Sequence, residues 1–141
     1  MRVRLPGVLA AVLVFATAVP TFAHHAFGVE FDATNCRDVK GTLTGLTWEN
    51  PHAYIDITAK DADGTDVSWH LEMVTPNALK RNGTLRLDFE LNMGKDISAR
   101  MCRSRILSET RGAASYIQLL DGEVRVVGQD VERRAPEDRH F

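Results

Sequence analysis

Residues 39–48, VKGTLTGLTW, contain the feature that most constrains the fold, a hydrophobic alternation that changes phase part-way along. Up to Leu43 the apolar side chains fall on odd-numbered positions, and from Leu46 onward they fall on even-numbered ones. A one-residue β-bulge at Thr44-Gly45 would produce this change, because a bulge adds one residue to a strand and bends it sharply. A long, bent first strand is typical of a small β-barrel.

The rest of the chain predicts mainly further strands, separated by turn signals at Asn50-Pro51, Asp61-Ala62-Asp63-Gly64 and Asp121-Gly122. The predicted strands cover residues 52–60, 65–74, 84–93, 97 onward, 113–120 and 123–128. In the strand over 65–74, Val67, Trp69, Leu71 and Met73 share the core face, while His70 and Glu72 face outward. The third of these strands, TLRLDFELNM, is expected to place Leu85, Leu87, Phe89 and Leu91 on one side.

One short helix is predicted over residues 76–82. Thr75 suits the N-cap, Pro76 suits the first helical position, and Gly83 suits the position just past the end. The resulting order is a long bulged strand, two more strands, a short helix and further strands. We therefore expect an all-β protein with one short helix, folded as a small antiparallel barrel of the oligonucleotide/oligosaccharide-binding (OB) type. An open antiparallel sandwich has the same alternation and remains the alternative.

Residues 1–23 have the layout of a secretory signal peptide. Arg2 and Arg4 give a basic start, residues 8–19 form an uncharged apolar run, and small residues precede a cleavage site after Ala23. Cleavage after Ala18 is the alternative. The apolar run is too short to cross a membrane, since a spanning helix needs about 20 residues. The sequence thus predicts a periplasmic or secreted protein with one domain over 24–128 and a charged, flexible tail over 129–141.

Charge excludes one class of partner. The whole chain carries a net charge of −2, and loss of Arg2 and Arg4 with residues 1–23 leaves −4 on 118 residues. Nucleic-acid binders normally carry a basic excess, so we expect no nucleic-acid partner. The predicted partners are an unidentified small ligand or an envelope protein, with no membrane span after signal cleavage.

The two cysteines, Cys36 and Cys102, indicate a disulfide, because an even pair in an exported chain is usually cross-linked. Two separate buried thiols, or a two-cysteine copper or zinc site, are the alternatives.

Four segments carry a resemblance to a known family. They are HHAFGVEFD (24–32), GTLTGLTWENPHAYIDI (41–57), SWHLEM (68–73) and TPNALKRNG (75–83). Together they resemble a family of small exported bacterial proteins known only as a domain of unknown function, with His-His-x-Phe near the mature start and Trp-x-Asn-Pro-His at the first hairpin. That family has a tryptophan soon after the helix, where this chain has Thr84. The resemblance implies an exported, mainly β domain and no established activity.

The histidines give the most definite chemical possibility. Cleavage after Ala23 would make His24 the first residue, able to bind Cu(II) through its α-amine and Nδ1. His52 and His70 are the candidate partners because their strands should pair, and His25 adjoins the chelate. Met73 and Met101 could add soft ligands, although their positions favour the core. A copper or zinc site is therefore one hypothesis, with His24, His25, His52 and His70 as its ligands; His140 lies in the tail and is left out.

Catalysis and sugar binding have weaker signals. The nucleophile, phosphate-loop and Cys-x-x-Cys motifs of common enzymes do not occur in the sequence. An acid–base cluster would draw on Glu49, His52, Asp56 and Glu72, and an aromatic platform on Trp48, Tyr54 and Trp69. We expect a non-catalytic binding or accessory module without an assigned cofactor, with a copper-binding protein as the alternative.

Overall fold

The computed structural model describes residues 27–129 together with Glu132 and Phe141. Six strands account for most of this region: β1 (Phe31–Trp48), β2 (Ala53–Lys60), β3 (Asp66–Glu72), β4 (Asp96–Ser104), β5 (Arg111–Gln118) and β6 (Val124–Val126). Three short helices accompany them: α1 (Phe27–Glu30), α2 (Pro76–Arg81) and α3 (Arg86–Glu90). The predicted all-β fold class is confirmed.

Five of the strands pair in a closed ring. β1 lies between β2 and β4, β3 pairs with β2, and β5 pairs with β4, all antiparallel. A short parallel contact between β3 and β5, which includes the pair Leu71–Gly112, joins the two ends. β6 pairs with the last residues of β5, Tyr116 to Gln118, beyond the part of β5 that contacts β3. The ring encloses one apolar core, to which Leu43, Ile55, Leu71 and Ile117 contribute fully buried side chains.

The predicted bulge is confirmed. The β1–β2 register slips between Leu43 and Gly45, so Leu43 opposite Ile57 is followed by Gly45 opposite Asp56. β1 is also longer than predicted, because residues 31–38 pair with β4. The slip divides the strand, since β4 pairs with its first part and β2 with its second.

The predicted start of α2 is also confirmed. Thr75 Oγ1 accepts a hydrogen bond from the Ala78 amide at 3.2 Å, and Pro76 occupies the first turn. Gly83 follows with φ +81°, a conformation that glycine adopts without steric cost.

The predicted strand over residues 84–93 is wrong, because α3 and a following turn occupy this segment. Asp88 Oδ2 accepts the Leu85 amide at 2.7 Å and Arg86 Nε donates to Glu90 at 2.7 Å, so both side chains stabilise a helical turn. Only Phe89 of the four predicted core residues is buried; Leu85, Leu87 and Leu91 are 50%, 55% and 63% exposed. The prediction of a single short helix therefore missed α1 and α3. None of the helices in the described part of the chain is long and apolar enough to cross a membrane.

Cys36 and Cys102 form a disulfide, as predicted. They are direct neighbours in the β1–β4 ladder, and Cys102 is fully buried. The alternatives of two free thiols and of a cysteine metal site do not hold.

Candidate functional site

A cleft of about 370 Å³ opens at one end of the ring, where α1, the start of β2, the end of β3 and the start of β5 meet. Its polar side chains are Glu30, His52, Tyr54, Glu72, Arg111 and Gln129. The remaining lining is apolar or small: Phe27, Phe31, Pro51, Met73, Val74, Ala113, Ala114 and Gly128. Volumes of this size are typical of small-molecule sites, which combine apolar walls with convergent polar groups.

The β2–β3 pairing explains why the polar groups face the cleft. Ile55 opposite Leu71 points into the core, and both are fully buried. The alternating positions face outward and place Tyr54 opposite Glu72, and Asp56 opposite His70. The outward direction predicted for His70 and Glu72 follows from the same alternation.

His52 and Glu72 form the central polar pair. His52 Nδ1 lies 2.7 Å from Glu72 Oε1, and the Glu72 side chain is only 16% exposed. Because the carboxylate holds Nδ1, the other ring nitrogen, Nε2, is the atom left to contact a ligand.

Tyr54 extends this pair. Its pKa is raised above the ordinary tyrosine value, first by burial and then by the negative charge of Glu72, while Arg111 acts in the opposite direction. The phenol therefore stays protonated at neutral pH and is a hydrogen-bond donor beside Glu72.

His70 is held in the same way but does not line the cleft. Its Nδ1 lies 2.7 Å from Asp56 Oδ1, and its ring stacks on Tyr54 with centroids 4.7 Å apart. The structure thus places His70 on β3 and His52 just before β2. Each histidine has its own carboxylate, Glu72 for His52 and Asp56 for His70, and Tyr54 stacks on His70.

The aromatic wall comes from the segment just before and at the start of β1. The rings of Phe27 and Phe31 lie 5.4 Å apart. Arg105, in the loop after β4, fixes α1 by donating from Nε to the Gly28 carbonyl at 2.8 Å and from its amide to Glu30 at 2.9 Å.

Arg111 brings a positive charge to the cleft from the first position of β5. Its Nη1 lies 3.5 Å from Glu109 Oε2, a contact at the outer limit for a hydrogen bond, and the side chain is 40% exposed. Sequence reasoning did not single out Arg111 or Glu30. The available signal was an arginine that opens a strand of small residues, RGAAS.

The other predicted site residues have different surroundings. Glu49 is exposed. Trp48 packs on Phe89 with centroids 5.9 Å apart. Trp69 is buried, and the guanidinium carbons of Arg37 and Arg103 lie 4.5 and 5.1 Å from the centroid of its ring. Met101 is a core residue, whereas Met73 is buried at the cleft wall.

Within residues 27–129 and the two further described positions, no three or more His, Cys, Asp or Glu side chains form a group able to hold a metal ion. The predicted ligands His24 and His25, like His140, lie outside the described residues.

The ring of strands and the cleft at its end define a small, mainly antiparallel β protein. Residues 11–113 match a family of unknown function (DUF6152), and the chain belongs to this family. Neither curated proteins nor solved structures gave a match to the chain.

Proposed function

We propose that this protein is a small exported, non-catalytic binding or accessory module and that the cleft is its ligand site. The observation that carries the proposal is the lining of the cleft, where Phe27 and Phe31 supply apolar surface and His52 and Arg111 supply polar groups. A recess with this division of surface suits a small organic ligand better than a flat protein partner.

The architecture supports the same location. A five-stranded ring with short helices between its third and fourth strands has the element order of an OB barrel. OB barrels bind ligands on strands 2 and 3 and the adjoining loops, and the cleft lies at that part of this ring. The disulfide supports the proposed export, because disulfides persist mainly in oxidising compartments.

The test is a fragment screen followed by amide NMR titration of the oxidised protein. We expect the shifts caused by hits to centre on His52, Tyr54 and Arg111, and to be reduced in Tyr54→Ala. Thr58→Ala, a change on the same outer face of β2 beyond the cleft lining, is the matched control and should leave them unchanged. Shifts that centre on the exposed leucines of α3 would overturn the proposed site.

A second candidate function is copper binding through the mature N-terminus. One observation favours it, since Phe27 lines the same cleft as His52 and follows His24 by only three residues. Three residues span at most about 11 Å, which keeps His24 within range of this end of the ring. The structure favours His52 over His70 as the partner, because His52 lines the cleft and His70 does not.

Intact mass of the protein secreted by its host would first show whether His24 is the first residue. Copper titration would then compare the processed protein with His24→Ala and His52→Ala, with His70→Ala as the control. Stoichiometric binding that is lost in the first two variants and kept in the third supports the site. Weak binding that does not depend on His52 excludes it.

A further inference from the structure

The charged groups of the cleft differ in how far their hydrogen-bonding capacity is already used. Glu72 accepts from His52 Nδ1 and interacts with the Tyr54 hydroxyl, and it is largely buried. Arg111 has a single long contact, with Glu109, among the described residues. Most of its five N–H donors therefore remain for a ligand.

Resting on the proposed binding function, we infer that the ligand is a small organic anion with an aromatic or similar apolar ring, its anionic group bound by Arg111 and its ring placed against Phe27 and Phe31. A guanidinium group is planar and presents two parallel N–H donors, which match the two oxygens of a carboxylate. The tilted pair of phenylalanine rings offers an apolar wall to the same recess.

A cationic ligand is the competing possibility, because Glu30 and Glu72 also line the cleft. Glu72 already accepts hydrogen bonds from His52 and Tyr54. If Glu72 turned to a cationic ligand, His52 Nδ1 and the Tyr54 hydroxyl would lose their acceptor, which costs free energy. The negative charge of Glu30 repels an anion, so we expect a moderate affinity. Salt should weaken the binding further because it screens the attraction between the anion and Arg111.

The test uses three probes with one ring and different head groups: benzoate, benzyl alcohol and benzylamine. Each is titrated into the isotopically labelled, oxidised protein at neutral pH and low salt, and the dissociation constant is taken from the amide shifts of cleft residues. We expect benzoate to bind more tightly than the neutral and the cationic probes. Arg111→Gln should weaken benzoate binding about tenfold or more, the usual effect of losing a charge-assisted hydrogen bond.

Two further variants separate charge from damage to the fold. Arg111→Lys keeps the positive charge but lacks the two parallel N–H donors, so it should weaken benzoate binding by an intermediate amount. Arg86→Gln removes an exposed arginine paired with Glu90 on α3, outside the cleft lining, and should leave benzoate binding unchanged.

Tighter binding of benzylamine or benzyl alcohol at the same residues would overturn the anion assignment and leave the proposed binding function intact. Equal benzoate binding by the parent protein and Arg111→Gln would overturn the role of Arg111. An absence of cleft shifts with all three probes would overturn this inference, and the fragment screen would then decide the binding function separately.

Discussion

His52 and His70 show how one local arrangement can occur in two different settings. Each imidazole places Nδ1 2.7 Å from a carboxylate, Glu72 on β3 for His52 and Asp56 on β2 for His70, so Nε2 is the ring nitrogen left for other contacts. His52 lines the cleft, together with aromatic and charged side chains. His70 lies outside the cleft lining, and its ring stacks on Tyr54. The difference arises from position along the strands, since His52 precedes β2 at the ring's end and His70 lies within β3.

Asp121 provides a test at the scale of a single residue. Arg125 donates to both of its carboxylate oxygens, at 2.5 and 3.0 Å, and the Glu123 amide adds a third hydrogen bond. These bonds lower the pKa of Asp121 from 3.8 to about 2, with the bonds from Arg125 as the largest cause. An NMR titration of the carboxyl group should show this low value, and Arg125→Lys should move it back toward 3.8.

The sign of the effect on stability follows from the lowered pKa. The ionised carboxylate stabilises the folded state, so its contribution is complete above the unfolded value of 3.8 and is lost as the pH falls through about 2. Because Asp121 is 46% exposed, water screens the pair and the contribution is about 0.5–1 kcal/mol. Urea unfolding of the parent and Asp121→Asn should differ at pH 5 and converge near pH 2. A difference independent of pH would contradict this account.

For single residues, the sequence predicted correctly which face of a strand a side chain occupies, because alternation determines it. It gave the outward direction of His70 and Glu72, because period-2 spacing fixes the face of each residue. It did not give the pairing of His52 with Glu72 or the contribution of Arg111 to the cleft, since both depend on strand register and on the β3–β5 contact. Neither is a local property of the chain.

At the scale of elements, α3 shows how alternation can mislead. The segment from Leu85 to Leu91 has apolar residues at every second position, as a half-buried strand would. Asp88, which caps the first turn, and the Arg86–Glu90 pair at i,i+4 are the helix signals. By contrast, glycine and a change of parity coincide at the β1 bulge, so two independent signals led to a correct prediction there.

The burial within α3 can be tested by two substitutions of similar chemistry. Phe89 is fully buried against Trp48, so Phe89→Ala should cost about 3–5 kcal/mol of unfolding free energy. Leu87 is 55% exposed, so Leu87→Ala should change stability by about 0.5 kcal/mol or less. Chemical denaturation of both variants measures these changes. A large loss of unfolding free energy in Leu87→Ala would mean that Leu87 is buried, as the strand predicted from alternation requires.

The disulfide should stabilise the pairing of the first half of β1 with β4. It joins residues 66 apart in sequence, and a cross-link of this length restricts the unfolded chain strongly. Cys36→Ala/Cys102→Ala should therefore lower the free energy of unfolding by about 2–4 kcal/mol.

The parent protein reduced with dithiothreitol is the control for this prediction, because it loses the cross-link and keeps both sulfur atoms. Equal losses would assign the effect to the cross-link, and a larger loss in the double variant would add the cost of lost volume at buried Cys102. Unchanged stability in both would show that the cross-link does not stabilise the fold.

At the scale of the whole molecule, closure of the ring is the property that sequence could not decide. Open and closed antiparallel sheets share the same alternation, so the predicted barrel rested on the order of the elements, and a sandwich stayed the alternative. The parallel contact of β3 with β5 involves only three residue pairs, yet it closes the ring and brings Arg111 to the cleft. The candidate binding site therefore depends on the least extensive of the ring's strand pairings.

Gly112 is the middle residue of this contact, opposite Leu71, and it also packs against β4, so a substitution there tests closure. A Cβ at this position would lie 2.8 Å from Met101 Sδ, 3.0 Å from the Cys102 carbonyl oxygen and 3.2 Å from Leu71 Cδ2. The methionine end can move, but the β4 backbone cannot without disturbing the ladder, so Gly112→Ala should cost about 1–3 kcal/mol. Gly28→Ala, where a Cβ would meet nothing within 4 Å, is the matched control and should be close to neutral.

Hydrogen exchange can separate loss of closure from general destabilisation in Gly112→Ala. The His70 amide donates to the Thr110 carbonyl at 2.9 Å across the β3–β5 contact, whereas Ile57 lies in the middle of the β2–β3 ladder. If the ring closes through this contact, exchange at His70 should accelerate more than exchange at Ile57, because the local opening needs less free energy than global unfolding. Equal acceleration at both amides would mean that Gly112 supports the core as a whole. Parent-like exchange and stability would mean that the β4 backbone and the Leu71 side chain do not approach Gly112 this closely in solution.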